Sequence, residues 1–386
     1  MSEELRGYPR TEVAGTDAID AGPSLTDPWE SRFGIERSFS LGVEEELLLV
    51  GPDNRLADRS SQVVREASPV RGDVDRELFK AMVESRSDIS RTVADASAAL
   101  REVRRELVDS GARIMGVGVH PDASSGEGGV HQTPRYSLIE DSLQGVLRTP
   151  ICGQHIHVGM PDAETAVRAY NGIRIHIPLL NALAANSPFW FGEDSGLASS
   201  RTVIFRSYPR AAMAPEFKDF EHFCRVTREV CRAGRLEDYT HIWWDARIHP
   251  GLGTIEVRAA DTQFDLRRTA ALAALVHCLT RLEAERDQGE IPAREALAES
   301  SFQATRHGLD AELLNRHAEL VPARDLGRAC IAEAANVAGE LGCESELAYV
   351  DTIIEQGSGA DLQRRIHRSE GMEGLLTYLV RESARL

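Results

Sequence analysis

Three consecutive glutamates run directly into four aliphatic residues in GVEEELLLV, Gly42 to Val50. A chain that buries Leu47 to Val50 on a strand has to dispose of the carboxylates beside them. Side chains alternate along an extended strand, so Glu44 and Glu46 share one face and Glu45 takes the other. An acidic run by itself is ordinarily a solvated face. Here the aliphatic continuation demands burial and turns Glu44 and Glu46 inward, where a carboxylate needs a partner or a cation.

Two further segments carry polar groups with the same period. In CGQHIHVG, Cys152 to Gly159, His155 and His157 share a face. The spacing alone leaves satisfied core histidines and metal or substrate contacts equally open. In TIEVR, Glu256 and Arg258 share a face, while Asp261 falls out of register and is expected past the strand end. A fourth segment, VDRELFKAMVESRSDIS, puts Leu78, Met82 and the stem of Arg86 on neighbouring helical turns. As a helix it would project Glu77 and Glu84 from one face.

Singly, the glutamate pair reads as a surface salt-bridge face and the EVR triplet as an ion pair on a sheet. If the segments are neighbouring strands plus a packed helix, they converge on a pocket of carboxylate oxygens with at least one imidazole. Such ligands suit hard, octahedral Mg²⁺ or Mn²⁺. Sites for several such ions normally take a phosphorylated substrate too, and Arg201, Arg206 and Arg258 are there to neutralise phosphate and a substrate carboxylate. Neither a GxxxxGK[ST] phosphate loop nor a GxSxG nucleophile elbow occurs, so metals and arginines rather than a covalent nucleophile must carry the chemistry.

A formal charge of −17 argues against a nucleic-acid groove. Lys80 and Lys218 are the only lysines, which makes any anion clamp a guanidinium. With 42% apolar and 27% charged residues the composition is that of a soluble globular protein. No apolar run reaches the roughly eighteen residues of a membrane span. Residues 1–36 are polar and acidic with no apolar signal region, and read as a mobile tail. Residues 37–386 are expected to form a single catalytic domain with a helical C-terminal part. The six cysteines form no CxxC pair and are expected to be reduced, structural thiols of a cytoplasmic protein.

Further strands are expected at IMGVGVHP and, as strand-edge segments, at SSRTVIFRSYPR and GTIEVRAADTQ. Helices are expected at TVADASAALREVRRELVDSGAR, at AETAVRAYNGIRIHIPLLNALAAN with a kink before Pro178, at LRRTAALAALVHCLTRLEAERDQG and over most of the chain beyond Ala293. Strands separated by helices of variable length give an α+β class rather than regular βαβ alternation.

The ordered set GVEEELLLV, VESRSDIS, CGQHIHVGM, LLNALAANSPFWFGEDSGLASSR and GTIEVRAADTQ, closed by GSGADLQRR, resembles the YbdK-type carboxylate–amine ligases of the glutamate–cysteine ligase type 2 family. The resemblance implies a glutamine synthetase-like catalytic domain: a curved, mainly antiparallel sheet forming a funnel, with helices packed outside. It implies ATP-dependent ligation with Mg²⁺ (or Mn²⁺). On this footing Glu44, Glu46, Glu77, Glu84, His155 and Glu256 match the metal ligands. Glu256 and Arg258 are the catalytic pair, with Arg258 near the transferred phosphate and, like Arg201, directed to the nucleotide. Arg201, Arg206 and His157 would meet the substrate, with His157 a candidate base.

The implied reaction joins a carboxylate, that of the glutamate side chain, to cysteine or another amine through an acyl phosphate. Ser195 and the segment RAAMAPEF depart from the family pattern beside the expected substrate pocket, which leaves the amine open. The expected partners are small-molecule amino acid and amine substrates, with no nucleic acid and no membrane, and the C-terminal helices offer a homodimer surface. Two alternatives stand beside this: a metal-dependent amidohydrolase binding Zn²⁺ through the HxH pair, and a nucleotide-binding relative without turnover.

Overall fold

The computed structural model describes residues 29, 31–143, 145, 148–287, 289 and 291–386. The first half of the chain supplies β1 (Leu41–Leu49), β2 (Asp73–Arg76), β3 (Met82–Arg86), β4 (Ile114–Met115) and β5 (Gly153–Gly159). A short hairpin of β6 (Phe189–Trp190) and β7 (Glu193–Asp194) precedes β8 (Ala246–His249) and β9 (Thr254–Asp261), and a second hairpin pairs β10 (Glu312–Leu314) with β11 (Leu320–Pro322). The main sheet runs β2-β3-β1-β5-β9-β8, with β4 on the end of β1. Every pairing within it is antiparallel.

The helices are α1 (Ser60–Glu66), α2 (Val93–Asp109), α3 (Pro134–Leu143), α4 (Ala163–Ile173), α5 (Ile177–Ala184), α6 (Ser200–Arg206), α7 (Phe220–Gly234), α8 (Leu266–Glu285), α9 (Arg294–His307), α10 (Ala323–Leu341), α11 (Glu344–Gln356) and α12 (Gly359–Ser383). The expected α+β class, an antiparallel sheet with helices outside, is what the chain adopts.

One face of the sheet is apolar. Val43, Ile156, Val158, Ile255 and Val257 are buried in one core with Ala166 and Tyr170 of α4 and Ala271 and Leu275 of α8. Helix α8 packs on α4, α10, α11 and α2 and is buried nearly all round, as its alanine- and leucine-rich sequence requires. The expected kink before Pro178 is a 3₁₀ turn, Arg174–His176, between α4 and α5.

Glu45 belongs to this apolar face and is fully buried. Its carboxylate takes a bidentate contact from Arg104 of α2, equally buried, at 2.8 Å (Nε) and 2.6 Å (Nη2). The same guanidinium donates to the carbonyls of Gln263 at 2.8 Å, Phe264 at 3.0 Å and Ser383 at 3.3 Å. One side chain thus ties β1, the link from β9 to α8, and the end of α12.

Three expectations are corrected. The segment carrying Glu77 and Glu84 is not a helix: Glu84 lies on β3 opposite Glu46, and Glu77 sits in the turn after β2. Its apolar residues serve sheet pairing, as with Val83 against Leu47, so tertiary context overrides the local period. SSRTVIFRSYPR is helical over Ser200–Arg206, because Ser199 caps it by accepting the Thr202 amide at 3.2 Å, and this outweighs the β-branched Thr202, Val203 and Ile204. Asp261 is the last residue of β9, not beyond it. Of the expected tail, residues 1–28 and 30 lie outside the described residues. Of the remainder, Trp29 and Phe33 pack against the core, Arg32 donates its amide to Pro250 and Gly34 to Met160, both at 3.0 Å, and Ile35 stays exposed. No described helix is long and apolar enough to cross a membrane. The six cysteines are all free and buried.

Replacing Arg104 with Met strands a charged Glu45 in the core. It is expected to lower the unfolding free energy by about 3–5 kcal/mol in urea denaturation, with most of the loss recovered when Glu45→Leu is added.

Candidate active site

Antiparallel register arranges the other face of the sheet in rows. Asp75, Glu84 and Glu46 lie opposite one another on β2, β3 and β1. Asp73, Arg86, Glu44 and His155 form the next row, on β2, β3, β1 and β5. His157, Glu256 and Arg247 form the third, on β5, β9 and β8. A bulge in β9 follows Val257, since Ile156 pairs with Val257 but Gln154 with Ala260. The extra residue returns Asp261 to the face that carries Glu256 and Arg258.

Of the side chains in the three rows, all but Asp73 line one cavity of about 420 Å³, and Asp261 lies outside its lining. His155 Nδ1 lies 3.2 Å from Glu44 Oε2 and 3.9 Å from Glu256 Oε1. His157 Nε2 lies 3.5 Å from Glu44 Oε1 and 3.9 Å from the same Glu256 oxygen, and its Nδ1 is 3.0 Å from Thr254 Oγ1. Glu256 is clamped by Arg247 at 2.7 Å (Nε) and by Arg258 Nη1. The remaining lining includes Ile139, Phe205, Tyr208 and Trp243, an apolar and aromatic cluster.

Two sets of atoms converge closely enough to share an ion: Glu44, Glu84 and His155, and Glu44, His157 and Glu256, each within 4.8 Å. Glu44 belongs to both. The Nε2 atoms of His155 and His157 are buried without a hydrogen-bond partner, as an absent ligand would leave them. Carboxylate oxygens with one or two imidazoles suit Mg²⁺ or Mn²⁺. Glu46 and Glu77 line the cavity outside both sets. Glu46 Oε2 accepts the Gly153 amide at 2.5 Å, and Glu77 accepts the amide of Leu78.

The carboxylates are held unequally. Burial works to raise Glu44, but the charge of His157 and the hydrogen bond and charge of His155 prevail and keep it well below the usual range. Glu256 is likewise held well below it, burial being overcome by Arg247, Arg258 and the two histidines. Glu84 goes the other way: burial and the charges of Glu44, Glu77 and Glu46 raise it well above the usual range against Arg86. Burial and Arg258 lower His155, while Glu44 and Glu256 overcome burial and raise His157.

Arg201 is buried in the first turn of α6, its Nη2 3.3 Å from the Arg258 carbonyl and its Nη1 3.8 Å from Asp261. The Nε atoms of Arg201 and Arg258 have no hydrogen-bond partner, which leaves nitrogens for an anion. Asp261 is itself fixed by the Asn186 amide at 2.8 Å, Ser187 Oγ at 2.7 Å and Ser199 Oγ at 2.9 Å. Gln363, from the closing GSGADLQRR motif, donates to both oxygens of Asn186 at 2.9 and 2.8 Å.

Arg206 is not part of the cavity lining; its guanidinium pairs with the buried Asp245. Arg247, His249 and Asp75, which the sequence reading does not name, line the cavity, as does Arg86, expected there only as an apolar stem. Arg247 and His249 in RIH show the same two-residue period as HIH, which was the available signal.

An antiparallel sheet that gives one face to helices and the other to carboxylates, imidazoles and guanidinium groups can hold hard cations and anionic groups side by side. Glutamate-cysteine ligase family 2 (GCS2) matches residues 40–382, and the chain belongs to that family. It is 34% identical to a glutamate–cysteine ligase of Haloferax volcanii over 89% of this chain and 97% of that one. It is 39% identical to a Rubrobacter xylanophilus protein provisionally named glutamate–cysteine ligase 2-3, over 92% of this chain and all of that one. The crystal structure of glutamate–cysteine ligase from Francisella tularensis in complex with AMP shares the fold, with a TM-score of 0.69 at 11% identity over 91% of this chain and 89% of that one. The chain is an ATP-dependent carboxylate–amine ligase.

Because the folded protein holds a proton on Glu84 above the ordinary carboxylate range, its stability falls as pH rises from that range through the raised value. In chelator, Glu84→Gln is expected to melt above the parent at pH 8 and alongside it near pH 4.5. Added Mg²⁺ should raise the parent's melting temperature more than the variant's.

Proposed function

We propose that the enzyme activates the side-chain carboxylate of glutamate with ATP and joins it to cysteine or another amine. The observation that carries this reading is Glu44, shared between two ligand sets, with Glu256 between two arginines in the same cavity. Glu44, Glu84 and His155 would hold one Mg²⁺, and Glu44, His157 and Glu256 a second. Bound there, such cations would supply charge neutralisation during phosphoryl transfer.

A substrate carboxylate oxygen attacks the γ-phosphorus, the bond to ADP breaks, and an acyl phosphate forms. The amine nitrogen then attacks the acyl carbon, and phosphate leaves with the oxygen that came from the carboxylate. Arg258, aligned by Glu256, faces the phosphoryl group as its charge spreads in the transition state. Arg201 lies beside it and serves phosphate or the substrate carboxylate. The apolar wall of Phe205, Tyr208 and Trp243 excludes water that would hydrolyse the acyl phosphate. Arg206, paired with Asp245 outside the lining, is assigned no direct part.

Family membership weighs against the amidohydrolase alternative, because that chemistry needs no nucleotide. A relative without turnover is tested directly. Purified protein with ATP, Mg²⁺, glutamate labelled with ¹⁸O in its side-chain carboxylate, and a panel of amines is expected to release ADP and carry label into phosphate. Glu256→Gln should lower kcat by about 10²-fold or more. Absence of amine-dependent ADP release across a broad panel of acids and amines would overturn the reading.

A further inference from the structure

We infer that His249 is a fixed hydrogen-bond donor of the cavity, carrying its proton on Nε2 and presenting it to an anionic oxygen of a bound substrate. The alternation of β8 puts Arg247 and His249 on one face, and both line the cavity. On its other side the imidazole meets Tyr239, with Nδ1 3.0 Å from the hydroxyl oxygen. That oxygen also accepts the Gly251 amide at 3.0 Å.

A phenol has one proton to place. If Nδ1 carried hydrogen, the Tyr239 oxygen would accept two bonds and its own O–H would point at no acceptor. The arrangement that leaves no group unpaired has Gly251 N–H donating to the hydroxyl and the hydroxyl donating to Nδ1. Nδ1 is then an acceptor, and the neutral ring holds its hydrogen on Nε2.

Tyr239 is in no position to relax this. It is buried, stacked edge-on against Trp29 with ring centroids 5.1 Å apart, and edge-on against His249 itself at 5.3 Å. Nε2 has no hydrogen-bond partner among the described residues. The neighbouring Arg247 is committed to Glu256 and to the Thr240 carbonyl at 2.9 Å, and His157 packs edge-on against the ring with centroids 6.0 Å apart. A ring so held cannot take a proton from an amine at Nε2; it can only give a hydrogen bond. This makes His249 unsuited to the part of general base and suited to an oxygen of a phosphoryl or carboxylate group.

Which oxygen it meets rests on the ligase reading above; the tautomer does not. In the full chain with ¹⁵N-labelled histidine, the His249 ring signals are identified by their loss in His249→Gln. They are expected to show a bare Nδ1 and a protonated Nε2 between about pH 6 and 8. A protonated Nδ1, or a doubly protonated ring, overturns the inference even if turnover is absent and the ligase reading itself fails.

In the ligase assay, His249→Leu is expected to raise KM about tenfold for either ATP or the acid, which identifies the source of the oxygen, while His249→Gln, which keeps an N–H in place of Nε2–H, returns it to within about threefold. Equal loss in both variants, with melting temperatures unchanged, would mean that the basic nitrogen matters, and the donor role falls.

Discussion

The buried pair of Glu45 and Arg104 decides which way β1 faces. In a strand with a two-residue period, a slip of one position sends every side chain to the opposite side. Glu45 is committed to the helical side by a guanidinium that also holds three carbonyls from the β9–α8 link and α12. Once Glu45 is anchored there, Glu44 and Glu46 have to emerge on the other side. A buried ion pair is a poor source of net stability, because desolvation offsets much of the attraction. Its value here is in register: it fixes the strand that carries Glu44, the carboxylate shared by both candidate ion-binding sets.

The site then collects more negative charge than it can comfortably hold. Glu44, Glu46, Glu77 and Glu84 line one cavity, and the repulsion is relieved unevenly. The two histidines and the two arginines keep Glu44 and Glu256 ionised, while Glu84 is pushed toward its neutral form. Such a pocket is electrostatically incomplete without cations. Arg201 and Arg258 flank the same space, each with a nitrogen that has no hydrogen-bond partner, which favours an anion beside them. A cavity that wants both signs of charge suits a metal–phosphate complex better than either component alone.

Much of this was legible in the residues. The alternation in GVEEELLLV, HIH and TIEVR put Glu44, Glu46, His155, His157, Glu256 and Arg258 on shared faces, and strand register brings them together. The glutamates at 77 and 84 were read to the right cavity through the wrong element. Leu78, Phe79, Met82 and Val83 satisfy a helical stripe as readily as a strand and turn, and only pairing with β1 separates the two. Arg206 and Asp261 illustrate the opposite limit. Arg206 is drawn away by Asp245, more than thirty residues on, and Asp261 is turned inward by a bulge that leaves no mark in side-chain order. Partners distant in sequence, not propensity, decide such positions.

The closing motif shows how far that dependence reaches. Gly359 admits no side chain, since a Cβ there would stand 2.2 Å from Asn186 Oδ1, and Gln363 one turn later grips the same asparagine. Asn186 holds Asp261 through its amide, and Ser187 beside it donates to Asp261 while accepting the amide of Arg201 at 3.1 Å. A chain of direct contacts thus runs from the last helix to an arginine of the cavity, each member buried and each bond made to a group with little freedom to move. The Arg201 side chain is itself buried, held beside the Arg258 carbonyl and Asp261, and its Nε is left without a hydrogen-bond partner. Preorganisation of this kind lets a guanidinium favour the charge distribution of a transition state, because no reorganisation is needed when that charge appears. On the proposed ligase reading the C-terminal helix would contribute to chemistry without touching a substrate, which is a physical reason for such a motif to lie so far along the chain from the residues it serves.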